Sequence, residues 1–378
     1  MKARTIKGNS AEEIQSALAQ SMIDGFSPTL AMVFLSLKQD RVAVCKILDD
    51  AGIAIYGATT NGEFTGEGIT AGETAIMLLD VNPVYFAIFF EEFSEKNYRE
   101  TSQVIAKKAL GKFTNPGFLV AGSNLNTDAE ELLHGFEDII GKQVNVFGGM
   151  AGDDFAFKEQ FVFTNNKESN NGIVTIAFDG DKISIKGRAT CGWNPIGTVK
   201  TVTKSIGNHV YTIDDVPVVG LLMKYGGYEN VTAETWAMEH SIALTLQLQR
   251  ETGDPVMRAG LKVDWDDQSY YCGGVVPQGS KVRFSLPPDF DSIEKVIKAC
   301  EDLKAMEIME ADALLLFNCA GRLVSLGPLI NDEIEGVRKV WDVPIAGMFS
   351  SAELARATNG DLEMHAFTAC TVVLKEII

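Results

Sequence analysis

The stretch Ile53-Ala54-Ile55-Tyr56-Gly57-Ala58-Thr59-Thr60-Asn61-Gly62-Glu63 joins a short apolar run to a glycine-rich polar turn. An apolar run of this length that is bounded by glycine is typical of a buried strand. Glycine tolerates positive φ and close backbone approach, which a chain that leaves a buried strand sharply tends to require. The stretch therefore predicts a buried strand that ends in a sharp turn with a carboxylate.

The same order of elements occurs three times: an apolar strand, a loop, an amphipathic helix, a second apolar strand and a glycine turn. The predicted strand pairs are 30–35 with 53–56, 118–121 with 144–147, and 313–317 with 343–346. In each turn a carboxylate lies six residues after a glycine: Gly57 to Glu63, Gly148 to Asp154, and Gly347 to Glu353. This weak internal similarity indicates related strand–helix–strand modules. We therefore expect an α/β protein (mixed α+β) with mixed sheets flanked by helices.

The stretch between the second and third modules has antiparallel signals. Asp179-Gly180-Asp181 and Gly207-Asn208 each separate two apolar runs, so each predicts a β-hairpin. A chain of 378 residues exceeds one ordinary core, and two domains are the expectation. We predict domains at residues 1–195 and 196–378, with the first two modules in the N-terminal domain.

The charge balance excludes some classes of partner. The formal net charge is -18, which disfavours binding to nucleic acid or to an anionic membrane surface. Apolar residues make up 46% and charged residues 22% of the chain, an ordinary globular balance. No signal peptide or apolar run of about 20 residues is evident, so we expect a cytoplasmic protein.

Cysteine and histidine spacing gives no sign of a metal site or a disulfide framework. None of the six cysteines forms a Cys-x-x-Cys pair, so reduced and mostly buried thiols are expected. The histidines are too dispersed to form a metal site; they are His134, His209, His240 and His365. We therefore expect neither a metal nor a cofactor.

Several islands of sequence, in a fixed order from about residue 30 to the end, together resemble the FIST family. The islands are the turn at 57–63, then 146–153, 191–197, 202–203, 207–211, 317–322, 347–353 and 364–368. The resemblance implies a FIST-N and a FIST-C domain that sense a small ligand, with amino acids the usual proposal. One branch of the family resembles haem-binding nitric-oxide sensors. Because the chain has no room for an output domain, the resemblance implies a separate signalling protein as partner.

The polar residues of the matching turns are the candidate ligand-binding groups. Arg322 follows a predicted buried strand, and a guanidinium binds a carboxylate through two parallel hydrogen bonds. Glu353 or Glu63 would accept from an ammonium group, so the set suits an amino acid. The alternative is that Arg322 and Glu353 pair with each other and only fix the loop. Three turn hydroxyls would bind a ligand carboxylate or cap their own turns; they are Ser350, Thr59 and Thr60.

Two residues support rival functions. Cys319 lies three residues before Arg322, and with His365 as base it would form the nucleophile of a hydrolase or transferase. His365 is also the candidate axial ligand of a haem-based gas sensor. A buried structural cysteine and a satisfied core histidine are the simpler interpretations. We therefore favour a non-enzymatic sensor with Cys319 and His365 as ligand contacts.

Overall fold

A computed structural model describes residues 1–123, 127–229, 231–236 and 245–377. Its first structural repeat begins with an edge strand and ends with a return strand. The elements are β1 (Lys2–Gly8), α1 (Ala11–Ser21), β2 (Leu30–Leu35), α2 (Arg41–Asp50), β3 (Ala54–Thr59), β4 (Glu63–Thr65), β5 (Gly68–Thr70) and β6 (Thr74–Asp80). Strands β2 and β3 are parallel, β6 runs antiparallel beside β2, and β1 lies beyond β6. The predicted strands 30–35 and 53–56 are thus the central pair of this repeat.

The second repeat has the same order of elements. They are β7 (Phe86–Glu92), α3 (Tyr98–Leu110), β8 (Pro116–Gly122), α4 (Ala129–Ile140), β9 (Val146–Met150), β10 (Val162–Phe163), β11 (Glu168–Ser169) and β12 (Gly172–Asp179). Strands β8 and β9 form the parallel pair, with β12 antiparallel beside β8 and β7 at the edge. Helix α4 begins at Asp128, whose carboxylate accepts from the backbone N–H of Glu131.

The third repeat is interrupted after its edge strand. Its elements are β13 (Ile183–Thr190), α6 (Phe290–Met306), β22 (Ala313–Cys319), α7 (Ala320–Leu326), α8 (Ile330–Trp341), β23 (Ile345–Ser350), β24 (Glu353–Arg356), β25 (Leu362–His365) and β26 (Ala369–Glu376). Strands β22 and β23 form the parallel pair, and β26 joins β22 to the edge strand β13. Short 3₁₀ turns lie at Pro83–Tyr85 and Gly327–Leu329.

An inserted sheet lies between β13 and α6 along the chain. Its elements are β14 (Pro195–Ile206), β15 (His209–Ile213), β16 (Val216–Pro217), α5 (Val218–Gly226), β17 (Thr245–Leu248), β18 (Val256–Arg258), β19 (Gly260–Asp264), β20 (Ser269–Cys272) and β21 (Lys281–Ser285). The strand order is β18-β17-β21-β14-β15-β20-β19, with β16 beside β15. The hairpin predicted at Gly207-Asn208 is confirmed, because Ile206 pairs with His209.

Each repeat places the hairpin that precedes its return strand in the sheet of another repeat. The first repeat's β4–β5 hairpin pairs with β23 of the third. The second repeat's β10–β11 pairs with β3 of the first, and the third repeat's β24–β25 pairs with β9 of the second. The three six-stranded sheets therefore have one common order, and the exchange closes into a ring. This is a mixed α/β fold of related modules, as the sequence predicts.

One apolar core joins the three sheets, and the helices cover their other faces. The shared core includes Met32, Leu119 and Leu315 from the central strands of the three repeats. Separate apolar clusters lie under the helices of each repeat, and another fills the inserted sheet. Because the halves of the chain share sheets through their hairpins, the domain boundary at residues 195 and 196 stays a prediction.

The hairpin predicted around Gly180 is wrong. Strand β12 pairs with β7 and β8, whereas β13 pairs with β26, so the chain crosses there from one sheet to another. The turn signal at 179–181 is real, and Lys182 N–H donates to the carbonyl of Asp179 at 2.9 Å. A local turn signal does not reveal which partner each strand finds in the sheet, because the partner is set by tertiary packing.

Candidate functional site

The turns after β3, β9 and β23 are hydrogen-bonded to one another. Equivalent backbone N–H groups donate to equivalent carbonyls: Asn61 to Phe349 (3.0 Å), Ser351 to Met150 (3.0 Å), and Gly152 to Thr59 (2.8 Å). A Cβ at Gly152 would lie 2.4 Å from the backbone nitrogen of Asn61, so glycine is required for this close approach. The three glycine turns that the sequence singles out thus form one junction between the repeats.

Glu63 lies fully buried in the first repeat and is held by its own turn. Thr60 Oγ1 donates to Glu63 Oε2 at 2.8 Å, and the backbone N–H of Glu73 donates to Oε1 at 2.7 Å. Burial raises the pKa of Glu63 to about 7, although these hydrogen bonds oppose the rise. Thr59 is occupied elsewhere, since its hydroxyl donates to the carbonyl of Gly152 at 2.6 Å.

Glu353 occupies the equivalent position in the third repeat. Ser350 Oγ donates to Glu353 Oε1 at 2.7 Å, and the hydroxyl of Thr368 donates to Oε2 at 2.8 Å. Burial raises the pKa of Glu353 to about 8, and the hydrogen bonds from Ser350 and Thr368 oppose the rise. A carboxyl group that is fully buried with so high a pKa is neutral over much of the physiological range.

The second repeat has no carboxylate at this position. Register places Val162 of β10 opposite Ala58 of β3, just as Glu63 lies opposite Met348 and Glu353 opposite Gly149. The spacing of six residues that points to Asp154 is therefore wrong as a structural equivalence. Residues 153–160 form an additional loop, in which Asp154 Oδ2 accepts from Ser36 Oγ at 2.6 Å.

Arg322 is fully buried and forms a clamp with Glu333. Its Nε donates to Glu333 Oε1 at 3.2 Å, and its Nη2 donates to the other oxygen of that carboxylate. Its Nη1 donates to the carbonyls of Cys191 at 2.6 Å and Phe367 at 3.1 Å. Neither a free guanidinium nor a direct pair with Glu353 is present. The partner Glu333 was not predicted from the sequence; it lies in the first turn of α8, 11 residues after Arg322.

Cys319 and His365 do not form a nucleophile–base pair in this arrangement. Burial raises the pKa of the Cys319 thiol well above its usual range, with a smaller contribution from Glu353. The His365 ring nitrogen Nε2 lies 3.1 Å from the carbonyl of Ala355. Burial lowers the pKa of His365 to about 3, so the ring is neutral. Cys319, Arg322, Ser350 and Glu353 thus lie together in the third repeat. His365 is opposite Glu353 in the β24–β25 register, and its ring is bonded to the carbonyl of Ala355.

The inserted sheet meets the third repeat at an aromatic contact, which we call the seam. It comprises Trp193 and Phe367, whose ring centroids lie 4.5 Å apart, together with Met257 and Ala366. Phe367 adopts φ +55°, a conformation that L side chains rarely hold without reason. Phe367 precedes Thr368, the residue that donates to Glu353, so one hydrogen-bonded residue links the seam to the buried carboxyl group.

A polar face of the inserted sheet adjoins the seam and was missed in the sequence. Register pairs Thr245 with Ser285 and Gln247 with Arg283, so the four side chains share one face of β17 and β21. Gln247 Nε2 donates to the carbonyl of Trp193 at 3.1 Å, which brings Trp193 to this face. The opposite face carries the apolar core of the insert. The alternation of polar and apolar residues in β17 and β21 is the sequence signal that could have predicted this face.

Several polar atoms at or beside this face are buried and have no hydrogen-bond partner among the residues that the structure describes. They are Trp193 Nε1, Thr245 Oγ1, Arg283 Nε and Ser285 Oγ. Thr245 and Ser285 are 0% exposed and Trp193 is 4% exposed. A buried polar atom without a partner costs about 1–3 kcal/mol, so a group of them at one place calls for an explanation.

The described residues hold no cluster of histidine, cysteine and acidic side chains that suits a metal ion. His134 is about half exposed beside Glu137, and His209 stacks on Tyr271 with ring centroids 3.8 Å apart. His209 is therefore half-buried. His240 lies outside the described residues. Among the described residues, no helix has the length and apolar character to cross a bilayer.

Comparison with known families agrees with the sequence resemblance. A family model of the FIST N domain matches residues 29–216, and one of the FIST C domain matches residues 222–356. No curated protein matches the chain. The two matches together cover most of the sequence and include all three junction turns. The chain belongs to the FIST family, with both a FIST N and a FIST C domain.

Proposed function

We propose that this chain is a cytoplasmic sensory protein that binds a small, amino acid-like ligand and catalyses no reaction. The FIST family is generally sensory, and both of its domains are present. The proposed ligand site is the seam together with the polar face of β17 and β21. We propose further that the signal passes to a separate protein.

The observation that carries this proposal is the group of unpartnered polar atoms on the seam residue Trp193 and on the adjoining polar face of β17 and β21. Trp193 Nε1 is a donor only, and the hydroxyls of Thr245 and Ser285 can donate as well. Together these groups would satisfy a carboxylate, which is an acceptor with two oxygens. A ligand that supplies those hydrogen bonds would remove the cost of leaving the three groups unpaired.

The opposite end of the ligand would meet Glu353. This carboxyl group accepts from Thr368, the residue after Phe367, and its neutral form is favoured while it is buried. An ammonium group beside it would favour the charged form and lower its pKa. Contact requires the segment that carries Phe367 to move aside. In this scheme Arg322 holds the segment by donating to the carbonyl of Phe367, and it does not bind the ligand directly.

Movement at the seam supplies a physical basis for signalling. Arg322 donates to Cys191 on the chain that leads to the insert and to Phe367 in the third repeat. A ligand that parts Trp193 from Phe367 would therefore alter how the insert contacts the body. Such a ligand shifts the population between closed and open seams by its difference in affinity for the two.

A thermal-shift screen against the common L-amino acids tests the proposal, since a ligand that binds only the folded state raises its melting temperature. We expect one or a few amino acids to raise the melting temperature, and the corresponding decarboxylated amines to have no effect. Thr245→Val should abolish the shift. Thr175→Val is the matched control, because Thr175 Oγ1 is also buried without a partner but lies in β12.

Loss of the shift in both threonine variants would mean that the ligand does not bind at the seam. An absence of any shift across the amino acids would contradict the proposed ligand class.

A further inference from the structure

Two adjoining clefts lie at the opposite end of the strands from the seam. Their volumes are about 430 and 500 Å³, which is within the range of small-ligand sites. They share Gln143, Val144, Asn145 and Lys186. The walls come from the start of β9, the middle of β13, the end of α6 and the β24–β25 turn, so the second and third repeats both contribute.

The charge of these walls is opposite to that of the chain. The charged lining residues are the cations Lys142, Lys186, Arg188 and Arg356 and a single carboxylate, Glu307. The chain as a whole carries a formal charge of -18. Exposed charges farther away than about 8 Å are largely screened at physiological salt. Close to the lining, Glu137 pairs with Lys142 and Arg356, and Glu307 pairs with Arg188. Four lining cations against these two carboxylates leave a local excess of positive charge for a ligand in the clefts.

Most of these cations are held in place by protein partners. Arg188 Nη2 donates to Glu307 Oε1 at 2.9 Å, and Arg356 Nη2 donates to the backbone carbonyl of Lys142. Lys142 Nζ itself lies 2.9 Å from Glu137 Oε2. The two arginines are thus fixed at the wall, and each retains further N–H groups for a ligand.

Lys186 differs from the other cations of the clefts. It is half-buried and lines both clefts, and its side chain has neither an ion pair nor a hydrogen bond with any residue in the described ranges. Alternation along β13 places it on the same strand face as Arg188. Between them Gly187 lets the strand lie against the Phe147 ring, since a Cβ there would be 2.9 Å from that ring. The backbone therefore holds Lys186 in place while its ammonium group has no partner.

We propose that these clefts bind a small metabolite that carries two or more negative charges. The unpaired ammonium of Lys186 and the fixed guanidinium groups of Arg188 and Arg356 supply charge-assisted hydrogen bonds. Gln143 and Asn145 add neutral amide groups beside them. Because the clefts are small and their lining is basic, a phosphate ester or a polycarboxylate is the class that fits. This site is separate from the seam and does not rest on the function proposed there.

Isothermal titration calorimetry with pyrophosphate and with citrate, each as a defined probe, tests the proposal. We expect at least one of them to bind the full chain, and we expect binding to weaken between low and high salt. Loss of one charge-assisted contact predicts that Lys186→Met weakens binding about tenfold or more. Lys186→Arg should retain most of the affinity. The preference between the two probes distinguishes a phosphate from a carboxylate ligand.

Lys182→Met is the matched control, because Lys182 is an exposed lysine next to the same strand but outside both clefts. We expect its affinity to be unchanged within about twofold, since its exposed side chain is part of neither lining and exposed charges contribute little. Equal affinity in wild type and Lys186→Met would overturn the proposal, as would a failure of both probes to bind the wild-type chain. Equal weakening by Lys182→Met and Lys186→Met would also overturn it, since that reports only general surface charge.

Discussion

Glu63 and Glu353 occupy the same position in two repeats of one fold, yet only the repeat that contains Glu353 carries an inserted sheet. Each is fully buried, and each accepts from a hydroxyl three residues earlier in its own turn, Thr60 or Ser350. Each also accepts from the residue before the return strand. The buried carboxyl group is thus a property of the repeat, and it is not by itself evidence of function.

What distinguishes the third repeat is the sheet inserted after its edge strand. In the first repeat β1 is followed almost at once by α1, whereas in the third repeat the insert separates β13 from α6. Beside the insert, Trp193 packs on Phe367, the residue before the Thr368 that donates to Glu353. The strand registers align Ser36 of the first repeat with Cys319 of the third. Three residues later the first repeat has Gln39 and the third has Arg322. The two turns are similar, and the inserted sheet of the third repeat is what makes the turn with Glu353 the candidate site.

Removal of the clamp below the seam should have the largest effect on stability. Arg322→Met leaves the buried carboxylate of Glu333 without its cation, which predicts a loss of about 3–5 kcal/mol in the free energy of unfolding. The control is Arg250→Met, whose partly exposed pair with Glu363 should contribute about 1 kcal/mol or less. Urea denaturation measures both. A loss below about 1 kcal/mol for Arg322→Met would contradict the clamp.

The two glutamates should give the protein a pH-dependent stability. Their pKa values are raised on folding, to about 7 for Glu63 and about 8 for Glu353. Each therefore contributes stability that is fully present below its unfolded pKa, near 4.3, and is lost as the pH rises through its folded pKa. For Glu353 the loss is about 5 kcal/mol at most.

Glutamine variants separate the two contributions. Glu353→Gln should flatten the loss of unfolding free energy up to about pH 8, and Glu63→Gln should flatten it only up to about pH 7. Denaturation at several pH values between 4.5 and 9 checks this. A wild-type stability that rises over that window, or variants that keep the full pH dependence, would mean that the carboxyl groups are ionised in the fold.

The hydroxyl donors of the two turns should have similar, smaller effects. Ser350→Ala and Thr60→Val each remove a hydrogen bond to a buried carboxyl group, which predicts a loss of about 1–2 kcal/mol. Thermal denaturation near pH 6 measures the change. If only the Ser350 variant loses stability, the two turns are not equivalent, and the repeat comparison fails at this contact.

The smallest effect is expected at the end of the first central strand. Cys319 occupies the position that is serine in the other repeats, Ser36 and Ser123, as the strand registers place them. Cys319→Ser should change the free energy of unfolding by about 1 kcal/mol or less and leave ligand binding intact. Loss of an observed catalytic activity in this variant alone would instead favour the nucleophile hypothesis.

The sequence predicts the repeated units well because they depend on local patterns. The central strands of all three repeats appear where the apolar runs predict them, and glycine turns mark the second strand of each pair, for example Ala54–Thr59 and Ile345–Ser350. The wrong hairpin at Gly180 and the wrong equivalence of Asp154 have a common cause. Both depend on which distant strand pairs with which, and neither spacing nor turn residues specify that.

The candidate site was predictable only in part. Cys319, Arg322, Ser350 and Glu353 come from two strand ends that lie side by side, so their proximity follows from the parallel pair. The roles differ, because Arg322 finds Glu333 on α8, a contact that depends on how that helix packs. The polar face with Thr245 and Ser285 depends on strand register in the insert, which the sequence does not fix.

The indole N–H signal of Trp193 in a ¹H–¹⁵N correlation spectrum tests the central claim most directly, with Trp193→Phe used to assign it. If the seam is a ligand site, titration with an amino acid that raises the melting temperature should shift this signal, because its unpartnered Nε1 gains an acceptor. Signals of Trp265 and Trp341 should move little. A stabilising amino acid that leaves the Trp193 signal in place would contradict the account.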